Sequence, residues 1–68
     1  MQRLTSRQRE VVRLLSDGLS CPEVARRLRI ALPTVRQHVR DIAARLPGEQ
    51  PPVRRIVVNA ERLLAIAA

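Results

Sequence analysis

Arginine and glutamine side chains lie close together in the segment 33–46. Arg40 stands four positions after Arg36 and three after Gln37, so in a helix the three share one side. Arginine can donate two parallel hydrogen bonds to O6 and N7 of guanine, and a glutamine amide can pair with N6 and N7 of adenine. These three residues are therefore candidate base contacts in the major groove of double-stranded DNA. The alternative is an ordinary solvated helix face.

An apolar stripe defines the helix that would carry these side chains. Its members recur at intervals of four, three and four residues: Val35, Val39, Ile42 and Leu46. Since a residue before proline avoids the helical region, Leu32 marks the boundary before Pro33. We predict a helix from about Pro33 to Leu46, with the arginines and the glutamine opposite the stripe.

A shorter helix is predicted just before this one. Ser20 and Glu23 have the spacing of a capping box, and Pro22 stands in the first turn, where its missing N–H costs nothing. The two helices make a helix-turn-helix over about 20–46. Three polar residues in it are expected to hold DNA phosphates and set the register: Ser20, Arg27 and Thr34. Thr34 lies in a first helical turn, where a hydroxyl or a backbone N–H can reach a phosphate.

The remaining segments also have helical patterns. Thr5 and Gln8 form a second capping box, which predicts a helix over Ser6–Asp17. Gly18 follows it and suits the C′ position just beyond the helix end. After Pro51, a last helix is predicted over about 52–67, with apolar residues repeating at three and four. This stripe either covers the chain's own core or pairs with a second copy. We favour a homodimer and assign five residues to its interface: Ile56, Ala60, Leu63, Leu64 and Ala67.

Composition agrees with one small domain over 1–68 that binds a polyanion. The 68 residues carry a formal net charge of +7, and aromatic residues are absent. The missing aromatics argue against single-stranded nucleic acid as the ligand, because its bases are held by stacking. One cysteine and one histidine cannot form a zinc finger within this chain, so no metal or cofactor is expected. No carboxylate or nucleophile is arranged around His38, and we expect no enzymatic activity.

Neither a signal peptide nor an apolar run of about 20 residues is visible, so we expect no membrane partner. The expected location is the cytoplasm, in association with the nucleoid. Read as complete from Met1, the chain would be a stand-alone regulator, controlled by its abundance or by a partner; read as an excised domain, it would lack its sensing half.

Three motifs in order resemble the LuxR-type DNA-binding domain, the output domain of quorum-sensing and NarL/FixJ regulators. They are Leu-Thr-x-Arg-x-x-Glu-Val from Leu4, Asp-Gly-Leu-Ser from Asp17, and Thr-Val-x-x-His from Thr34. The resemblance covers about residues 4–46. It implies an all-α, four-helix bundle, a bacterial transcription regulator and dimerisation through the fourth helix. It also implies that His38 contacts a DNA phosphate. The alternative is that His38 lies at the edge of the apolar core and forms a hydrogen bond within the bundle.

The chain departs from the family pattern at the turn between the two helices. Arg29 stands where the family usually has glycine, so we expect either a reshaped turn or a backbone conformation that is less favourable for arginine than for glycine. Ala31 and Leu32 precede Pro33 in place of serine and proline, which predicts a weak N-cap for the second helix.

Two other functions remain open. A sigma-factor domain that reads promoters uses a similar helix-turn-helix, although the hinge and the Thr34 motif fit the LuxR type better. A protein-interaction module, such as an anti-activator or an RNA polymerase adaptor, would use the last helix, and its basic face would serve solubility. Tight, sequence-dependent binding to duplex DNA separates this module from a DNA-binding regulator.

Overall fold

All regular secondary structure in residues 3–66, the part of the chain that the computed structural model describes, is helical. Five helices follow one another in this range: α1 (Ser6–Ser16), α2 (Cys21–Leu28), α3 (Leu32–Ala43), α4 (Pro52–Val58) and α5 (Ala60–Ile66). The predicted all-helical fold is confirmed. None of these helices has the length and apolar character needed to cross a bilayer.

Two capping boxes determine where α1 and α2 begin. The Thr5 hydroxyl accepts from the Gln8 N–H (3.0 Å), and the Gln8 side chain accepts from the Thr5 N–H (3.1 Å). Ser20 and Glu23 make the same reciprocal pair at 3.3 and 2.8 Å. Both boxes were predicted and both are confirmed. Each satisfies two backbone donors that a helix start otherwise leaves unpaired.

The turn between α2 and α3 has a strained arginine. Arg29 adopts φ 58° and ψ 44°, the left-handed conformation that favours glycine. The Ile30 N–H then donates to the Ala25 carbonyl (3.1 Å) and closes the turn. Ala31 precedes α3 and provides no side-chain cap, as expected from its type.

Helix α3 is shorter than predicted at its carboxyl end. It ends at Ala43, and Arg45 and Leu46 instead donate to carbonyls three residues back, at 3.1 and 3.0 Å. The predicted end at Leu46 was wrong because Pro47 has no N–H to donate to the Ala43 carbonyl, and its ring would clash with that carbonyl if the helix continued. Leu46 nevertheless stays buried, so the apolar stripe reaches past the helix.

The core contains side chains from all five helices. The α3 stripe is buried as predicted, and α1 packs against α2, α3, α4 and α5. The buried apolar residues are Leu4, Val11, Val12, Leu15, Val24, Ala25, Val35, Val39, Ile42, Ala43, Leu46, Ile56, Ala60 and Leu63. These residues form a single cluster, so α3 is held on a scaffold of helices from both ends of the described range.

The helix predicted over about 52–67 is interrupted at Asn59. The Asn59 backbone N–H donates to the carbonyl of Ile56 (3.1 Å), three residues earlier in the chain. The carbonyl of Arg55, which would accept that N–H in a continuous helix, accepts instead from the Asn59 side-chain amide (2.8 Å). This competition between side chain and backbone divides the segment into α4 and α5.

The predicted dimer interface needs correction. Ile56 and Leu63 are fully buried within their own chain and Ala60 is 6% exposed, so these three residues belong to the core. Leu64 is half-buried against the same core. Ala67 lies outside the described residues. The heptad spacing was wrongly interpreted because a bundle helix and a paired helix need the same apolar repeat.

A single arginine connects α4 to the end of α3. Arg55 donates from Nη1 to the Ala43 carbonyl (3.1 Å) and from Nη2 to the Gln50 carbonyl (2.9 Å). The side chain therefore satisfies a carbonyl at the end of α3 and holds the proline-rich link between α3 and α4, residues 44–51, against α4.

Candidate nucleic-acid interface

The outer face of α3 is polar and exposed. Arg36, Gln37 and Arg40 are all solvent-exposed, on the side opposite the buried stripe. Ala44, just beyond the helix, is exposed next to them. The structure thus brings the three predicted base-contacting residues together on one surface.

Two hydrogen bonds join side chains at the centre of this face. Arg40 Nη2 donates to Gln37 Oε1 (2.9 Å), and Gln37 Nε2 donates to Asp41 Oδ1 (2.8 Å). We call this Arg40–Gln37–Asp41 arrangement the polar chain. Sequence analysis missed Asp41, although its position four residues after Gln37 is a known spacing for such a pair.

Arg36 lies at the edge of the face. It lines a shallow apolar groove with Cys21, Val39, Arg40 and the residues 51–53 of the link and α4. Cys21 is a half-buried free thiol here. Among residues 3–66, no group of three or more histidine, cysteine or acidic side chains could hold a metal ion.

A second basic region lies beside α3, on α2 and its following turn. Arg26, Arg27 and Arg29 are exposed and line one open depression with Leu19 and Glu23. Only Arg27 was singled out from the sequence. The other two could have been recognised because the three arginines fall within four positions at the end of one short helix.

Few of the arginines are neutralised within the chain. In the described range, the one ion pair within 4.0 Å joins Arg7 and Glu10 on α1, at 3.6 Å. The positive charge on α2 and α3 therefore remains available to a polyanion.

A profile of the family described as bacterial regulatory proteins, luxR family, matches residues 2–48, which contain α1, α2 and α3. The chain belongs to the luxR family. Its helix-turn-helix is that of a DNA-binding regulatory domain rather than an enzyme, and double-stranded DNA is the partner this implies. Neither the curated proteins nor the solved structures gave a match.

The candidate phosphate contacts of this luxR-family domain lie around α3. Ser20 and Thr34 are exposed at the starts of α2 and α3, Arg27 is exposed on α2, and His38 is half-buried beside the stripe. The Ser20 hydroxyl uses only an acceptor site in the capping box, so its proton is free to be donated. The Thr34 N–H already donates to the Ala31 carbonyl (3.0 Å), so the Thr34 hydroxyl is the group that remains for a phosphate.

The capping box at α2 lowers the pKa of one carboxyl and so links the stability of the fold to pH. The N–H that Ser20 donates to Glu23 holds the pKa of that carboxyl below its usual value, and the Ser20 side chain and the charge of Arg26 act in the same direction. A lowered pKa stabilises the fold above the unfolded-state pKa, about 4.3, and that contribution is lost as the pH falls through the folded-state pKa.

We expect Glu23→Gln to reduce this acid sensitivity, because glutamine keeps an acceptor but does not titrate. Thermal unfolding followed by circular dichroism between about pH 7 and 3 measures the effect. The matched control is Glu49→Gln, at an exposed carboxyl in the link. Equal acid sensitivity of wild type and Glu23→Gln would contradict the assignment.

Proposed function

We propose that this luxR-family domain recognises specific sequences in duplex DNA with α3 in the major groove and thereby regulates transcription. The observation that carries the proposal is the exposed row of Arg36, Gln37 and Arg40, set rigidly opposite a buried stripe. A rigid helix with hydrogen-bonding groups on its outer side has the shape and chemistry that the major groove admits. Residues 1–68 act as one domain in this proposal.

Base contacts are assigned by the hydrogen-bonding groups of each side chain. Arg36 and Arg40 each present a planar set of donors that fits O6 and N7 of guanine. Gln37 presents both a donor and an acceptor, the pair that adenine requires. Exposure of all three side chains allows them to reach base edges without unfolding any of the core.

Phosphate contacts are assigned to residues that flank this row. Ser20 and Thr34 each offer a hydroxyl at a helix start, where the helix dipole also favours an anion. Arg27 offers an exposed cation on α2, and His38 lies at the border between the core and the surface. Such contacts position the helix along the groove, whereas base contacts select the sequence.

Selection of bound sites from random duplex DNA, followed by sequencing, tests the proposal. A recovered consensus supports sequence-specific binding, and a palindrome in it supports a two-fold arrangement of two copies. Recovery of no consensus at low salt would overturn the proposal. The protein-interaction module would then be the better account of the exposed apolar residues on α4.

A homodimer is part of the proposal, with a different surface from the buried stripe. Val53, Val57 and Val58 on α4 are 36%, 39% and 56% exposed, and together with Pro51 and Arg54 they line one shallow groove. We call these three side chains the valine face. Apolar side chains grouped in this way are typical of an interface between chains. A second copy is the occupant that we propose, and a palindrome in the selected sites would support it.

Val57→Glu is expected to convert the dimer to a monomer without loss of helix content, because it places a charge in the apolar contact. Sedimentation and light scattering measure the mass, and circular dichroism measures the helices. Ala65→Glu is the matched control, since Ala65 is exposed on α5 and does not line the groove of the valine face. A wild-type chain that is monomeric at high concentration, or a Val57→Glu variant that still dimerises, would exclude this interface.

A further inference from the structure

Gln37 is held from both sides in the polar chain. Arg40 donates to its oxygen at 2.9 Å, and Asp41 accepts from its nitrogen at 2.8 Å. All three residues are exposed, so no packing against the core fixes the amide. Its orientation on the outer face of α3 depends on its two neighbours.

The chemistry of the neighbours allows one orientation of the amide. A guanidinium can only donate, and a carboxylate can only accept. Turning the amide over would place its N–H groups against Arg40 and its oxygen against Asp41, and both hydrogen bonds would be lost. The oxygen of Gln37 is therefore held on the Arg40 side and the nitrogen on the Asp41 side.

The polar chain leaves part of the amide free. A glutamine amide has two N–H donors, and its oxygen has two lone pairs. The chain uses one donor and one lone pair, so one of each remains. An adenine in the major groove offers one acceptor, N7, and one donor, the N6 amino group, which is the complementary pair.

We propose that Asp41 is a positioning residue for DNA recognition, which fixes Gln37 in the orientation that reads adenine. The proposal rests on the proposed function, because it concerns the same face of α3. Asp41 acts through Gln37 and does not touch the base. An amide whose orientation is fixed before binding loses less side-chain conformational entropy when the contact forms. It can also pair with the N6 and N7 groups of adenine in only one relative orientation.

Asp41 also places a negative charge on a face that approaches phosphates. Its removal should therefore have two effects of opposite sign. Binding to any duplex should become tighter, because a repulsion is lost. Preference for adenine at the Gln37 position should become weaker, because the amide is no longer held.

The experiment measures base preference and affinity separately. The probes are the duplex selected by the wild-type chain, the same duplex with each other base pair at the Gln37 position, and a random duplex. That position is the one at which Gln37→Ala abolishes an adenine preference. For Asp41→Ala we expect that preference to fall about fivefold or more, within the range that a bidentate pair provides, while affinity for random duplex rises.

Three further variants identify the cause. Asp41→Asn keeps an acceptor oxygen, so it should retain the adenine preference and still bind random duplex more tightly. Adding Asp41→Ala to Gln37→Ala should leave the preference at that position unchanged. Glu49→Ala, an exposed acidic residue in the link, changes the net charge equally and should leave the preference intact.

Several results would overturn the assignment. Asp41→Ala with full adenine preference would mean that Asp41 does not position Gln37. Asp41→Asn with the same loss as Asp41→Ala would mean that charge, not the hydrogen bond, is responsible. A further change of preference in the Gln37→Ala background would mean that Asp41 reads a base itself.

The selection with the wild-type chain separates this inference from the proposed function. A wild-type chain that selects no site overturns both. A wild-type chain that selects a site in which no adenine depends on Gln37 overturns the role of Asp41 alone, and sequence-specific binding stands.

Discussion

Replacement of Leu63 by aspartate is expected to unfold the chain. Leu63 is fully buried in the common core, where a leucine-to-alanine change alone costs about 2–5 kcal/mol. A carboxylate without a partner adds to this cost. A domain of this size rarely has more than about 3–5 kcal/mol of stability from its core, so most of the helix signal should be lost. Far-ultraviolet circular dichroism and a denaturant titration measure the change.

Ala65→Asp is the matched control, because it introduces the same charge at an exposed position of α5. This variant should keep its helices and its melting temperature within a few degrees. Leu63→Asp in a folded, monomeric form would contradict the burial and return Leu63 to an interface between copies.

Arg36→Ala is expected to lower discrimination between sequences while leaving the fold intact. The side chain is exposed at the edge of the outer face of α3, so its removal leaves no cavity in the core. Loss of a bidentate guanine contact should cost about 1–3 kcal/mol on the preferred site, with only a small electrostatic loss on random DNA. Binding isotherms on both duplexes at two salt concentrations give the specific-to-nonspecific ratio.

Arg27→Ala is the control with the opposite behaviour. Arg27 is exposed on the supporting helix α2, where a phosphate contact contributes equally to every sequence. Its removal should weaken all duplexes by similar factors and reduce the salt slope by about one. An unchanged specificity ratio in Arg36→Ala would show that α3 does not read a base through this residue.

Local features of the fold were predictable from the sequence. The capping boxes at Thr5 and Ser20 depend on residues three positions apart, and the buried stripe of α3 depends on the helical repeat. Each is determined by side chains close along the chain. The starts of α1 and α2 and the exposed polar row of α3 therefore agreed with the structure, whereas α3 begins at Leu32, one residue before the predicted Pro33.

Features that depend on competition between partners were not predictable in this way. Asn59 interrupts the last helix because its side-chain amide donates to the Arg55 carbonyl in place of a backbone N–H. The sequence pattern does not predict which of these two donors occupies the carbonyl. The burial of Leu63 depends on whether its stripe meets α1 or another chain, and both give the same repeat. Asp41 was missed because side chains were assigned to faces one at a time, without their mutual hydrogen bonds.

The arginine that joins α4 to the end of α3 has a consequence for symmetry. Arg55 donates to the Ala43 carbonyl and to the Gln50 carbonyl, so the same side chain ties α4, which carries the valine face, to the end of α3. If two copies pair through that face, we expect this link to restrict the separation between their two α3 helices. We expect such a dimer to bind less tightly to operators in which the distance between half-sites is changed by one base pair.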